Sequence, residues 1–153
     1  MATLIDGPAQ REITLGRTVT RATAALPATT AEALFTVTGG KVAITSIVGE
    51  VTTVIQTQAN NTKLTANPTT GTSVDICAVL DISADEAGSL YSITGTFADA
   101  LAGGAAGAVA RQAVDVIVNT GTIDLDCAAT NTGAVGWTLT YIPIDDGAAV
   151  VAA

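Results

Sequence analysis

The sequence predicts an all-β protein: an antiparallel β-sandwich of about eight strands, jelly-roll-like or a small barrel, with an extended N-terminal arm. Three observations support this fold class. Apolar and polar residues alternate with period two, β-branched residues are abundant with 26 Thr, and Gly, Asn, Asp and Ser recur between the alternating runs. The 153 residues are 48% hydrophobic but only 3% aromatic, which suits one domain with a core of small aliphatic side chains.

Residues 1–31 differ from the rest of the chain, because they are Thr-rich and show no sustained period. Three of the six basic residues lie here: Arg11, Arg17 and Arg21. With two acidic residues the segment carries +1, whereas residues 32–153 hold three basic against twelve acidic residues and carry −9. We therefore predict an extended arm over residues 1–31, either a solvated terminus or a segment that orders against an acidic surface of a second copy or a partner.

If the arm orders against another surface, its apolar residues would be anchors and its arginines would pair with carboxylates. The candidate partner-binding residues are Arg11, Ile13, Leu15, Arg17, Val19 and Arg21.

Residues 32–145 contain the predicted sandwich. Phe35 and Val37 share one face, Gly39-Gly40 predicts a two-residue hairpin loop, and alternation resumes over residues 42–48. Gly49-Glu50 predicts a break after this strand, Asn60-Asn61 a polar turn and Asn67-Pro68 a second break. Further strands are predicted over residues 51–56, 74–82, 90–94, 114–118, 123–127 and 135–141, and the run at 74–82 alternates most regularly. Residues 98–110 predict a flexible loop or a frayed helix, and residues 146–153 a C-terminal tail.

The inward faces of these strands define the expected core. Its members are Val74, Ile76, Leu80, Ile123, Leu125, Val135, Trp137, Leu139 and Tyr141, with Phe35 and Ile44 beside them. Burial of each large side chain contributes about 1.5 to 3 kcal/mol, which offsets much but not all of the chain entropy lost on folding. We therefore expect association with other protein surfaces to supply further burial.

Charge and hydropathy exclude several classes of partner. The net charge of −8 predicts repulsion from nucleic acid and anionic lipid. The longest uncharged run of small residues, 100–110, is shorter than the ~20 residues that span a bilayer. The first ten residues lack a basic segment followed by an apolar one, so no secretory signal is predicted. We expect no nucleic acid or membrane partner, and synthesis without export.

The sequence offers little catalytic chemistry. It contains no His, so the commonest general base and transition-metal ligand are absent. No Gly-x-Ser-x-Gly elbow is present, and Thr38-Gly39-Gly40-Lys41 lacks the spacing of a phosphate-binding loop. The acidic run 81–88 is a weak calcium candidate, and no pair of carboxylates is selected for glycoside hydrolysis. We predict a protein that is not an enzyme and has no cofactor or metal.

The two cysteines are Cys77 and Cys127, 50 residues apart. This spacing fits neither a redox pair nor a four-ligand metal site. Cys127 continues the apolar face of its strand, whereas Cys77 shares a face with Asp75 and Asp81, so we expect two free thiols.

Several motifs also carry a family resemblance. They are Phe35-Thr36-Val37-Thr38-Gly39-Gly40, Thr45-Ser46-Ile47-Val48-Gly49-Glu50-Val51-Thr52-Thr53, Thr62-Lys63-Leu64-Thr65-Ala66-Asn67-Pro68, Asp75-Ile76-Cys77-Ala78-Val79-Leu80-Asp81-Ile82 and Gly121-Thr122-Ile123-Asp124-Leu125-Asp126-Cys127. Together they resemble small virion structural proteins of tailed bacteriophages, of the head decoration or cement type.

The resemblance implies a non-enzymatic protein that is made in the host cytoplasm and then held on the capsid surface of the virion. Its partner would be the major capsid protein, and it would form a symmetric homo-oligomer, with a trimer favoured. Two alternatives stay open: a structural β module of a phage tail or baseplate, and an extracellular carbohydrate-binding or adhesin module.

Overall fold

A computed structural model describes residues 6–104 and 106–153. Two antiparallel sheets pack face to face, and within the described residues neither closes into a barrel, so the predicted β-sandwich is confirmed. The elements are α1 (Gly7–Leu15), β1 (Arg17–Ala25), β2 (Ala31–Thr38), β3 (Val42–Thr53), β4 (Asn61–Pro68), β5 (Val74–Asp75), β6 (Leu80–Asp81), β7 (Leu90–Ser92), β8 (Ala102–Gly103), β9 (Val116–Val118), β10 (Gly121–Cys127), β11 (Ala134–Pro143) and β12 (Ala149–Ala152).

The first sheet has the strand order β1-β11-β3-β7-β8, and β9 pairs with the start of β3. The second has the order β12-β2-β10-β4-β5, and β6 pairs with the start of β4. The N-terminal and C-terminal strands, β1 and β12, therefore each form an edge of a different sheet.

The core lies between the sheets because alternate residues of the long strands face inward. On β11 these are Val135, Trp137, Leu139 and Tyr141, all buried. The indole of Trp137 lies over Gly49, its partner on β3, where a Cβ would come within 2.8 Å of the ring. Glycine at this position therefore makes room for the largest side chain of the core.

The predicted hairpin at Gly39-Gly40 is wrong. Both glycines have positive φ, 75° and 139°, but they connect β2 in the second sheet to β3 in the first. The carboxylate of Asp145 accepts a hydrogen bond from the backbone N–H of Lys41 at 2.8 Å, at the point where the chain crosses. A local turn signal predicts the backbone conformation but not which sheet the next strand joins.

The strand predicted over residues 74–82 is also wrong, although its alternation is regular. Only the short β5 and β6 pair, both with β4, while Val74 is 45% and Val79 48% exposed. The intervening Ile76 and Cys77 are both buried although they are sequence neighbours. The segment is therefore mostly irregular, and it packs against the core through Ile76 and Cys77.

Several elements were not predicted. The strands β1, β4 and β12 and the helix α1 lie where we expected an arm, a turn or a tail, and β3 continues through the predicted break at Gly49-Glu50. In the predicted arm, residues 1–5 lie outside the described residues, α1 follows, and β1 pairs with β11. β1 is hard to recognise from the sequence because Val19 is its one large apolar residue. Val19 packs against the core. In the predicted tail, β12 pairs with β2.

Candidate functional site

An apolar row crosses the outer face of the first sheet. Ile142 of β11 stands opposite Ala43 of β3, and Ala43 stands opposite Ile117 of β9. Directly opposed residues of antiparallel strands point to the same side of a sheet. Their flanking residues on these strands, such as Val116 and Val118, are buried, so the row points outward, and Ile117 is 64% and Ile142 44% exposed.

At one end of this row, α1 and the end of β11 enclose a groove, which we call the α1 groove. Its volume is about 300 Å³, and its lining residues are Ala9, Glu12, Ile13, Gly16, Arg17, Ile142 and Pro143. The Thr45 hydroxyl lies between the carbonyl oxygens of Leu15 and Thr140, at 3.4 and 3.2 Å, and so holds the end of α1 to the sheet. Ile13 is 71% exposed beside the groove.

The α1 groove combines an apolar floor with two opposite charges. Glu12 and Arg17 both line it, yet neither belongs to an ion pair with residues 6–104 or 106–153. Unpaired charges beside exposed apolar groups are typical of a surface that a partner completes.

At the other end of the row a second groove opens between the two sheets, which we call the edge groove. It has a volume of about 180 Å³. Its rim carries the half-exposed Val74 and Phe97 together with Ile117. The buried Ile76 and Val116 lie deeper. The apolar row therefore joins two concave surfaces.

Four of the six residues predicted to bind a partner are exposed, and two of them, Ile13 and Arg17, line the α1 groove. Arg11, Ile13 and Leu15 lie exposed on α1, and Arg17 is exposed at the start of β1. For these four, partner binding stays a prediction.

The other two are engaged by the chain's own packing. Val19 is half-buried against the core. The Arg21 guanidinium donates to the Glu32 carboxylate at 2.9 Å, and the Arg21 side chain is only 12% exposed. This ion pair links β1 in the first sheet to β2 in the second, so Arg21 connects the two sheets.

Sequence reasoning did not select Ile117 or Ile142, although a signal was present. Each is a large aliphatic residue at an outward position of a strand whose alternate positions are buried. An apolar residue on the solvent side of an alternating strand is the pattern that could have found the row.

Burial favours the neutral forms of one tyrosine, Tyr91, and of the two cysteines. Burial, and a hydrogen bond from its hydroxyl to the Asp85 carboxylate at 2.5 Å, raise the pKa of Tyr91 above its usual value. Burial also raises the pKa of Cys77 and that of Cys127. Both thiols are free, as predicted, and the structure shows that both are buried. Neither has the exposed, low-pKa character of a reactive cysteine.

On the outer face of the second sheet, charges pair within the chain. The Lys63 ammonium donates to the Asp75 carboxylate at 2.7 Å and lies 3.8 Å from the Asp126 carboxylate. The hydrogen bond to Asp75 raises the pKa of Lys63 and lowers the pKa of Asp75. This face is polar where the first sheet carries its apolar row.

The described residues contain no group of three or more Cys, Asp or Glu side chains arranged to hold a metal ion. Over the same residues, no helix is both long enough and apolar enough to cross a bilayer. Comparisons of the chain with protein-family models, curated protein sequences and solved structures find no match.

Proposed function

We propose that this chain is a non-enzymatic structural protein of a phage capsid, which binds the assembled head surface and cements neighbouring capsomers. The observation that carries the proposal is the apolar row with a groove at each end. Exposed apolar residues scattered singly are normal on soluble proteins, whereas contiguous ones beside a groove are typical of protein contact sites. A surface with two concave ends can contact two neighbours, which is what a cementing protein requires.

The packing of the body supports the same function. Two sheets share a continuous core, and an ion pair between Arg21 and Glu32 connects β1 of one sheet to β2 of the other. Such a body is stiff, so force applied at one contact passes to the other. The partner is the major capsid protein, and the protein acts on the capsid surface as a homo-oligomer, for which the family resemblance favours three copies.

The mechanism is thermodynamic linkage. A protein that binds only the assembled shell stabilises it by RT ln(1 + [L]/Kd), about 2.7 kcal/mol per site at a hundredfold excess over Kd. The stabilisation from many sites on one particle is summed, and a copy that bridges two capsomers binds more tightly because its second contact is intramolecular. Modest contacts therefore raise the barrier to rupture of the shell by packaged DNA.

The test is co-sedimentation with heads of the encoding phage that lack this protein. Replacing Ile117 and Ile142 together by Asp should reduce the bound amount roughly tenfold or more, because burying two carboxylates in the contact is unfavourable. The matched control is Val151→Asp, since Val151 is 51% exposed on β12 of the other sheet. Circular dichroism and thermal melting verify that each variant is folded.

Two outcomes would overturn the proposal: a wild-type protein that does not bind heads, or a double variant retained at wild-type stoichiometry. Labelled protein found along the tail instead of the shell would replace it by the tail or baseplate alternative. Label on the surface of cells, lost on addition of a free sugar, would replace it by the adhesin alternative.

A further inference from the structure

The helix α1 is not stabilised by burial within its own chain. It has nine residues, an Asp6 cap that accepts the Ala9 N–H at 2.8 Å, and no buried residue. Isolated helices shorter than about 12 to 15 residues are marginally stable in water. A surface that covers Ile13 would therefore stabilise α1 as well as bury an exposed aliphatic side chain.

The charges of the α1 groove indicate what that surface is. Glu12 and Arg17 lie on either side of Ile13 in the sequence and line the same groove. A second copy related by a two-fold axis presents the same groups in reverse order. Glu12 of each copy then meets Arg17 of the other, and each Ile13 enters the other copy's groove over Ile142.

We infer that two copies of this chain associate through their α1 grooves, with the helices antiparallel about a two-fold axis. The contact is self-complementary, so both ion pairs and both apolar contacts form at once. This inference rests on the proposed function only for the place where the contact operates. It replaces the three copies that the family resemblance favours by two, which sit on neighbouring capsomers and link them.

Long-range repulsion does not oppose this contact strongly. Each copy carries a net charge of −8, but at physiological ionic strength charges separated by more than about 8 Å are largely screened. The Glu12–Arg17 pairs would lie in direct contact, where screening is weakest. Association at physiological salt is therefore decided by the local arrangement of charge rather than by the net charge.

The experiment is sedimentation equilibrium of the full chain at physiological salt. Wild type should be a reversible dimer, and Glu12→Lys or Arg17→Glu alone should weaken it roughly tenfold or more, because each places two like-charged pairs in the contact. The double variant E12K/R17E, and an equimolar mixture of the two single variants, should both regain association. The controls are Glu86→Lys and Arg111→Glu, which make the same charge changes at exposed positions outside the groove.

A wild type that stays monomeric, or association that neither single variant weakens, overturns the inference. Failure of the mixture to regain association, or an oligomer of three copies insensitive to both variants, does the same. Binding to heads is measured separately. Head binding without self-association overturns this inference alone, whereas self-association without head binding overturns the proposed function alone.

Discussion

The centre of the sandwich and the helix α1 are opposites in how they are stabilised. Trp137 and Tyr91 are 2% and 1% exposed, and their rings stack with centroids 6.4 Å apart. The helix α1 buries none of its residues, and its Ile13 is 71% exposed. Stability therefore resides in the centre, and α1 can change to suit a partner with little effect on the fold.

The sharpest test of this contrast is to truncate one side chain in the centre of the sandwich and one on α1. Trp137→Ala should lower the free energy of unfolding by about 3 to 5 kcal/mol, because it removes buried surface and leaves a cavity. Ile13→Ala should change it by no more than about 0.5 kcal/mol, since its side chain is largely in solvent. Urea unfolding followed by circular dichroism measures both, because Trp137→Ala removes the chain's one tryptophan and with it the fluorescence signal. Similar values for the two variants would contradict the contrast.

A second test concerns the polar part of the centre. Tyr91→Phe keeps the ring stacked on Trp137 but removes the hydroxyl that donates to the buried Asp85 carboxylate. The free energy of unfolding should fall by about 1 to 3 kcal/mol. Tyr141→Phe is the matched control, because this second tyrosine is also buried on an inward position of β11.

The same tyrosine predicts how stability depends on pH. The pKa of Tyr91 is raised in the folded protein, so above the ordinary value of 10.0 the unfolded chain loses a proton that the folded chain keeps. The free energy of unfolding should therefore decrease as pH rises past that value, by up to about 1.4 kcal/mol per pH unit from this group. Tyr91→Phe should lack this part of the slope.

In Tyr91→Phe the free energy of unfolding should still decrease with rising pH, but less steeply. Cys77 and Cys127 also have raised pKa values, and their contribution begins above the ordinary thiol value of 9.0. Urea unfolding from about pH 8 to about pH 11 measures both slopes. Equal slopes in wild type and variant would show that Tyr91 ionises alike in the folded and unfolded states.

The sequence predicts the centre of the sandwich better than it predicts α1, and the reason is physical. Alternation identified the inward residues of β10 and β11 because both strands lie in the middle of a sheet with one face buried. It missed Leu64 on β4 and Ile47 on β3, which are both buried, and it placed Val74 in the core although Val74 is 45% exposed. Asn61 and Asn67 favoured turns because of their residue type. In the structure they lie near the two ends of β4.

The sequence pattern could have marked Ile117 and Ile142 one by one, but it could not predict that they lie in one row, because that depends on register. Ile117, Ala43 and Ile142 are far apart in the sequence and become neighbours only through two strand pairings. The arginines of the N-terminal segment were selected because their charge sets them apart from the rest of the chain, and their binding to a partner stays a prediction. Their separate environments depend on β1 pairing as an edge strand, which a Thr-rich sequence with little alternation does not reveal.

The smallest predicted effect separates the two arginines of β1. Arg21→Ala should lower the free energy of unfolding by about 1 kcal/mol, since it removes the pair with Glu32 and the packing of the Arg21 side chain. The effect is modest because the Glu32 side chain is 50% exposed, and solvent screens the pair. Arg17→Ala should leave stability within about 0.5 kcal/mol of wild type, because Arg17 is exposed on the same strand. If Arg17→Ala destabilised the monomer as much as Arg21→Ala, Arg17 would belong to the body of the sandwich and not to the contact face.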